Sequence, residues 1–350
     1  VTTIWYATRE DVASALDYKE TARNWGQVDR ALDASSLTIE GDGMTARRFY
    51  PELDTRTFDW PVFDRRISVD YRRLWLDANE LISVTSITVD GVALTSDDYH
   101  LRRADERDEP PYEYVDIARS VGSPAIPERA VSIVGTYGYN ADTTPAGALG
   151  EALDTTETAV DVTNSAAVGV GSLLVVESER MLVTGKSMLD TGQNTGGALT
   201  SSAADTTVPV TTGSAYAVGE VILIDAERMR IVDVAGNNLI VKRSWDGSVL
   251  AAHSVGADIY APRTLTVERG GLGTTAATHA DATAVRVQVY PGPVRSLAIA
   301  EAITQLQQEM AGYGRVIGVG EGAIEASGKG LRDLRNQVRQ RYARMDVGFA

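Results

Sequence analysis

"LLVVESERMLV" at residues 173–183 returns, lightly altered, as "VILIDAERMRI" at residues 221–231. Each copy is an apolar run, a polar turn and a second apolar run, the pattern of a short hairpin. The likeness extends beyond the hairpin. At one offset of forty-eight, Glu179 falls on Glu227, Gly171 on Gly219, and "ETAVDV" (157–162) on "DTTVPV" (205–210). A second pair follows at an offset of twenty-six, "LIVKRSWDGSVLAAHSVGADI" from Leu239 and "LTVERGGLGTTAATHADATAV" from Leu265, matching Arg243 with Arg269, Gly247 with Gly273 and His253 with His279. Two half-modules thus occur twice, in the order first, first, second, second. Only the inner halves are contiguous, so the order predicts a β-module inserted into its own sibling. The inner module covers about 199–261 and the outer about 151–196 plus 262–290, with "DTGQNTGG" (190–197) and "APR" (261–263) as linkers. Residues 173–183 should then lie beside 265–269, and 221–231 beside 239–243.

The surrounding chain changes composition at both ends of this region. Residues 148–290 hold no Phe, one Trp (Trp245) and many Thr, Val, Ala and Gly in short alternating runs, which reads as an all-β insertion. Residues 1–147 carry Trp5, Trp25, Trp60, Trp75, Phe49, Phe58 and Phe63, enough large apolar side chains for a separate core. Thr8 followed by Asp11 resembles a capping box before a short helix, and Trp25, Val28 and Leu32 recur at helical spacing over 22–40. From "RRFYPELDTRTFDWP" onward the runs are short and β-prone, with Asp90-Gly91 marking a hairpin. After Tyr290 the helical period returns: Pro293 suits a first turn, and Ile299, Ile303, Leu306 and Met310 share a face. A glycine-rich hinge from Gly312 to Gly330 precedes a last amphipathic stretch. The expected class is α+β: a helical domain with a small antiparallel sheet (1–147 and 291–350), plus an all-β insertion (148–290) of two nested duplicated modules.

Composition narrows the chemistry. The 350 residues carry a formal charge of −15, which argues against a general nucleic-acid-binding surface. Without cysteine there are no thiolate ligands or Cys nucleophiles, and His100, His253 and His279 are little material for a zinc site. No apolar run approaches a membrane span and "VTTIWYATRED" is unlike a secretory signal, so synthesis and assembly in a cytoplasm are expected. Glu179-Arg180 and Glu227-Arg228 read as solvated turn residues, and His253 and His279 as side chains satisfying local backbone. "GVGEG" (318–322) and "GAIEASGKG" (322–330) lack the spacing of nucleotide loops, and "ADERDEPPYEYVD" (104–116) lacks that of a calcium loop. No catalytic constellation, metal or cofactor is expected.

Charge is uneven. Residues 291–350 hold eight basic and six acidic residues, whereas the rest of the chain is acidic, and Arg332, Arg335, Arg339, Arg341 and Arg344 concentrate the positive charge. Leu331, Leu334, Val338, Tyr342 and Met345 supply an apolar stripe beside them. "YATREDVASALD", "RRFYPELDTRTFDW", "LWLDANELISVTSITVDGVALTSDDYHL", "VSIVGTYGYN", "AEAITQLQQEM" and "GEGAIEASGKGLRDLRNQVRQRYAR" together resemble the head-to-tail connector, or adaptor, proteins of long-tailed bacteriophages over residues 1–145 and 291–350. That resemblance implies a ring, commonly of twelve copies, in the virion neck. Its partners would be the portal protein, a tail-side neck or tail-completion protein and further copies of itself, with genomic DNA passing unread through the lumen and no membrane involved. The ten residues Leu331, Arg332, Leu334, Arg335, Val338, Arg339, Arg341, Tyr342, Arg344 and Met345 would form the portal-docking arm. The competing class is a tail or capsid-surface protein whose β-modules recognise carbohydrate or another virion protein. A third, a β-rich hydrolase, would need a positioned carboxylate pair, and nothing in the sequence places one.

Overall fold

The computed structural model describes residues 3–16, 22–61, 71–105, 108–310, 316–317, 324–325 and 329–344. Two helices come first, α1 (Arg9–Leu16) and α2 (Ala22–Glu40), and then seven strands: β1 (Glu52–Phe58), β2 (Tyr71–Trp75), β3 (Leu81–Val89), β4 (Val92–Ala93), β5 (Tyr99–Arg102), β6 (Tyr114–Ala118) and β7 (Val131–Tyr137). The duplicated region adds β8 (Thr143–Ala148), β9 (Ala159–Asp161), β10 (Leu173–Val176), β11 (Glu179–Asn194), β12 (Thr207–Pro209), β13 (Val221–Ile224), β14 (Glu227–Ala235), β15 (Asn238–Lys242), β16 (Asp258–Glu268) and β17 (Ala284–Gln288). The chain closes with α3 (Gly292–Met310), the short strands β18 (Val316–Ile317) and β19 (Ile324–Glu325), and α4 (Lys329–Tyr342). The expected helical domain with a small sheet is therefore corrected. Strands hold 37% of the residues and helices 20%, so the chain as a whole is mostly β.

The chain forms two compact units, Val1–Leu37 with Thr143–Arg335, and Thr38–Asp142 with Asn336–Ala350. In the second unit β1, β7, β3 and β4 make one antiparallel sheet and β2, β6 and β5 another. β7 alternates buried and half-buried residues throughout, as a period-two run of Val, Ile and Tyr dictates. Its Val131, Ile133 and Tyr137 join Leu76, Leu81, Ile87, Val115 and Ile117 in one core. This is why the region is not a helical domain: β-branched alternating runs need sheet partners, and they find them in one another. Asp90 and Gly91, both at positive φ, close the β3–β4 hairpin between Val89 and Val92.

The first unit is built on one ten-stranded antiparallel sheet, ordered β12-β15-β14-β13-β16-β11-β10-β17-β8, with β9 also on β16. The two copies pair in identical register. Leu182↔Glu268 and Val183↔Val267 of the outer module match Arg230↔Lys242 and Ile231↔Val241 of the inner. Likewise Val175↔Arg286 matches Leu223↔Tyr260, and Leu265↔Val160 matches Val208↔Leu239. Each copy buries its own core, Met181, Leu174, Val176, Val183 and Leu265 in one and Met229, Ile222, Ile224, Ile231 and Leu239 in the other. The inner β14–β15 hairpin turns at Gly236 and Asn237. At the equivalent point of the outer copy β11 and β16 instead run on, through Asn194↔Asp258, to the inner module.

The division into units differs from the boundaries expected at 147/148 and 290/291, because the N-terminal segment and α3 belong with the β-modules. Thr8 and Asp11 do form reciprocal capping bonds, Asp11 N to Thr8 Oγ1 at 3.2 Å and Thr8 N to Asp11 Oδ2 at 3.1 Å. The helix they start is fastened to the outer module. Arg9 N donates to the Val170 carbonyl at 3.1 Å, and Val170 N to the Glu10 carboxylate at 2.9 Å. A Cβ on Gly171, at φ +99°, would meet the Trp5 ring at 2.5 Å, and Tyr6 packs edge-on against Tyr290 at 5.0 Å. In α3 the fully buried face is Val294, Leu297, Ala298, Ala302 and Leu306, so of the expected stripe Leu306 is buried while Ile299 and Ile303 are half-buried.

Candidate functional site

Each module is closed by one buried carboxylate. Glu179 opens β11 and Glu227 opens β14, directly after turns that begin at left-handed Glu177 (φ 52°) and Asp225 (φ 51°). Glu179 accepts two bonds from Arg269, from Nε at 2.7 Å and Nη2 at 2.9 Å. It also accepts the backbone N–H groups of Gly270 and Ala277, each at 3.0 Å, and faces His279 Nε2 at 2.9 Å. Glu227 repeats this with Arg243 at 2.8 and 2.7 Å, Ser244 N at 2.9 Å, Ala251 N at 3.0 Å and His253 Nε2 at 3.0 Å. The other ring nitrogens face the turn acids, His279 Nδ1 to Glu177 at 2.8 Å and His253 Nδ1 to Asp225 at 2.7 Å. The arginines spend their remaining donors on carbonyls, those of Asp154, Glu157 and Ala277 in one copy and of Thr200, Asp205 and Ala251 in the other.

Two expectations are corrected by this geometry. Glu179 and Glu227 are not solvated turn residues: each takes the first inward position of a strand, and the partner that neutralises it is the arginine of the other half-module. His279 and His253 bridge two carboxylates rather than serving local backbone alone. Burial by itself would raise the pKa of each glutamate, but the bonds from arginine, backbone N–H and histidine outweigh it and hold both at about 2. Carboxylates so held stay ionised and have no free lone pair for acid–base work near neutrality. A third buried pair links the copies: Glu220 accepts Arg263 Nε and Nη2, each at 2.8 Å, together with the N–H and hydroxyl of Ser165. Among the described residues no group of three His, Asp or Glu is arranged to hold a metal ion.

The predicted arm is divided in character. In α4 Val338 and Tyr342 are buried, Tyr342 against Phe49 and Tyr139 at 5.7 and 5.6 Å between ring centroids. Leu331 and Leu334 are half-buried. Arg335 pairs with Glu301 at 2.7 Å and Arg344 with Glu80 at 3.6 Å. Arg332, Arg339 and Arg341 are exposed. Half the apolar stripe is thus used inside the chain, and the positive charge on offer is carried by three arginines. Met345 and most of the hinge 312–330, including "GVGEG", lie outside the described residues. In the acidic run Asp105, Asp108 and Asp116 are paired with Arg103, Arg102 and Arg73.

Sequence reasoning missed a basic and aromatic surface in the first unit. An open groove of about 1170 Å³ is bordered by Trp5, Trp25, Lys186, Arg230, Trp245 and Arg295 among others. Several cations here are already neutralised: Arg9 by Asp29, Arg295 by Asp11 and Lys186 by Glu10. Arg230 and Lys242 differ. They are register partners on β14 and β15, both lie over the Trp245 ring at 5.0 and 4.9 Å, and neither has an acidic partner among the described residues. The sequence held a signal for this surface, because the repeat alignment sets Arg230 on Leu182, Lys242 on Glu268 and Trp245 on Gly271. No protein-family model, curated protein or solved structure matches the chain.

Proposed function

We propose that the chain is a structural subunit of a bacteriophage neck, a ring that joins portal to tail and lets DNA pass. The observation that carries this reading is α4. In a chain of net charge −15 it offers Arg332, Arg339 and Arg341 to solvent from a helix anchored by Val338 and Tyr342. That is the element in which the connector resemblance expects a portal-docking arm. A helix already seated, with exposed guanidiniums, suits attachment to an acidic rim by charge steering and hydrogen bonding. Buried ion pairs fit a mechanical part for a different reason: they fix one arrangement of the β-modules rather than prepare a reactive group. Imaging and mass measurement of the purified protein test the reading. Rings with a central hole are the expected result, and monomers or trimeric rods overturn it.

A second reading, glycan recognition at the virion surface, draws on the three indoles of the groove. Their surroundings weigh against it, since sugar stacking needs open ring faces. Trp25 lies under Arg9 at 5.4 Å, Trp245 under two cations, and Trp5 against Gly171. Saturable binding of a neutral oligosaccharide, lost in Trp245→Ala, would favour this reading over the first.

A further inference from the structure

The two modules are copies within one chain, so what each kept and what each changed can be compared position by position. The interior was kept: Glu179/Glu227, Arg269/Arg243, His279/His253 and Met181/Met229 occupy the same places with the same bonds. Several other positions changed in charge or character. Where the inner copy has Arg230, Lys242 and Trp245, the outer has Leu182, Glu268 and Gly271. Where the outer has Glu151, Asp161 and Asp281, the inner has Gly197, Pro209 and Val255. The latter equivalences are fixed by backbone bonds, Gly150 N to Asp161 O matching Gly196 N to Pro209 O at 2.7 Å, and Leu149 N to Thr283 O matching Thr195 N to Ala257 O at 2.9 Å.

The inner copy therefore carries a local basic and aromatic patch, and the outer copy an acidic edge. On the acidic edge Glu151 and Asp281 are exposed and Asp161 is half-exposed. The carboxyls crowd one another, so that Glu151 is pushed above its ordinary pKa, by partial desolvation and then by Asp161, Glu157 and Asp281. On the basic patch Arg230 and Lys242 both lie over the Trp245 ring, and neither has an acidic partner among the described residues. Chains that each carry −15 repel one another unless surfaces of opposite sign meet.

We propose that the inner module's face of Arg230, Lys242 and Trp245 docks on the Glu151, Asp161 and Asp281 edge of the outer module of a second copy, joining copies head to tail. The choice of a second copy as occupant rests on the ring proposed above; the complementarity rests on the two modules themselves. Two different surfaces of one chain form a heterologous contact, which closes into a ring when the rotation per copy permits and otherwise runs on as a filament. The two cations give the contact its polarity and its dependence on salt.

The test uses the full chain and measures mass distribution by sedimentation at low and high salt. Wild type should assemble, and Arg230→Glu with Lys242→Glu should weaken assembly by about tenfold or more, because like charges then face one another. The milder pair Arg230→Gln and Lys242→Gln should give a smaller loss with an unchanged melting temperature, which separates docking from folding. Mixing the Glu double variant with a chain carrying Glu151→Lys and Asp281→Lys should restore association between the two, though each alone assembles weakly. Rings that persist at full strength in the Glu double variant overturn this contact and leave the neck reading standing. A wild type that stays monomeric overturns both. Retention of duplex DNA by wild type, lost in the Glu double variant without any change in assembly, would assign the face to nucleic acid and overturn the contact as well.

Discussion

Glu227 is the residue on which the inner module depends most, since five donors converge on a carboxylate with no exposure. Glu227→Gln would leave the Arg243 guanidinium buried without a counter-ion, a change that costs about 3–5 kcal/mol. Pairing it with Arg243→Met should recover much of that, because removing both charges spares the orphan; chemical denaturation of the three variants checks the order. Glu179 in the outer copy should behave alike. The pH dependence follows from the same bonds. Both glutamates have folded pKa values near 2, below their ordinary 4.5, so the stability they confer is complete above about pH 4.5 and is lost as pH falls towards 2. Melting temperatures across that window should fall in wild type and fall less in the Gln/Met double variant. Little of this was legible beforehand. The repeat aligned Glu179 with Glu227 and Arg243 with Arg269, but nothing local says that the glutamate of one half-module reaches the arginine of the other, and "ER" after an acidic residue reads naturally as a solvated turn.

At the scale of elements, local signals were reliable where the cause was local. The Thr8–Asp11 box, the span of α2 and the Asp90-Gly91 turn each depend on residues a few positions apart, and each forms where the pattern sets it. The repeat offsets also carried long-range information, which is why strand pairing in the duplicated region could be read from sequence at all. Elsewhere it could not. β1 pairs with β7, and β2 with β6, across stretches whose register no periodicity encodes, so the sequence reads as one small sheet where the second unit has two. The same limit applies to α4, whose stripe of Leu331, Leu334, Val338 and Tyr342 was visible, though not that its C-terminal half faces inward. Tyr342→Ala should destabilise the second unit by about 3–5 kcal/mol, through the cavity left beside Phe49 and Tyr139. Arg332→Glu, Arg339→Glu and Arg341→Glu together should leave the melting temperature within a degree or so of wild type, as exposed charges do. If α4 is the docking arm, that triple variant should also lose salt-sensitive attachment to portal-bearing heads; attachment at full strength in pull-down counts against the arm.

At the scale of the whole molecule, the nested order of the modules says where the chain can be shortened. β11 and β16 pair from Leu182↔Glu268 to Asn194↔Asp258, and residues 195–257 leave and re-enter the sheet at that last pair. Replacing 195–257 by Asn-Gly should close β11 and β16 as a hairpin and keep the outer core of Leu174, Met181, Val183, Leu265 and Val285. The cut also removes the partners of one interior charge, because Arg263 pairs with Glu220, bonds the Ala215 carbonyl and lies over Tyr216, all in the removed module. With those groups gone its guanidinium faces water, and the outer position matching Arg263 is Val289. The shortened chain should therefore unfold cooperatively both with Arg263 retained and with Arg263→Val. Thermal melts followed by circular dichroism check this. A shortened chain that is unfolded with either residue would show that the outer module cannot stand without the inner, and that the two cores are one cooperative structure. Provided it folds, the shortened chain also lacks Arg230, Lys242 and Trp245, so it should sediment as a monomer under conditions in which the full chain assembles.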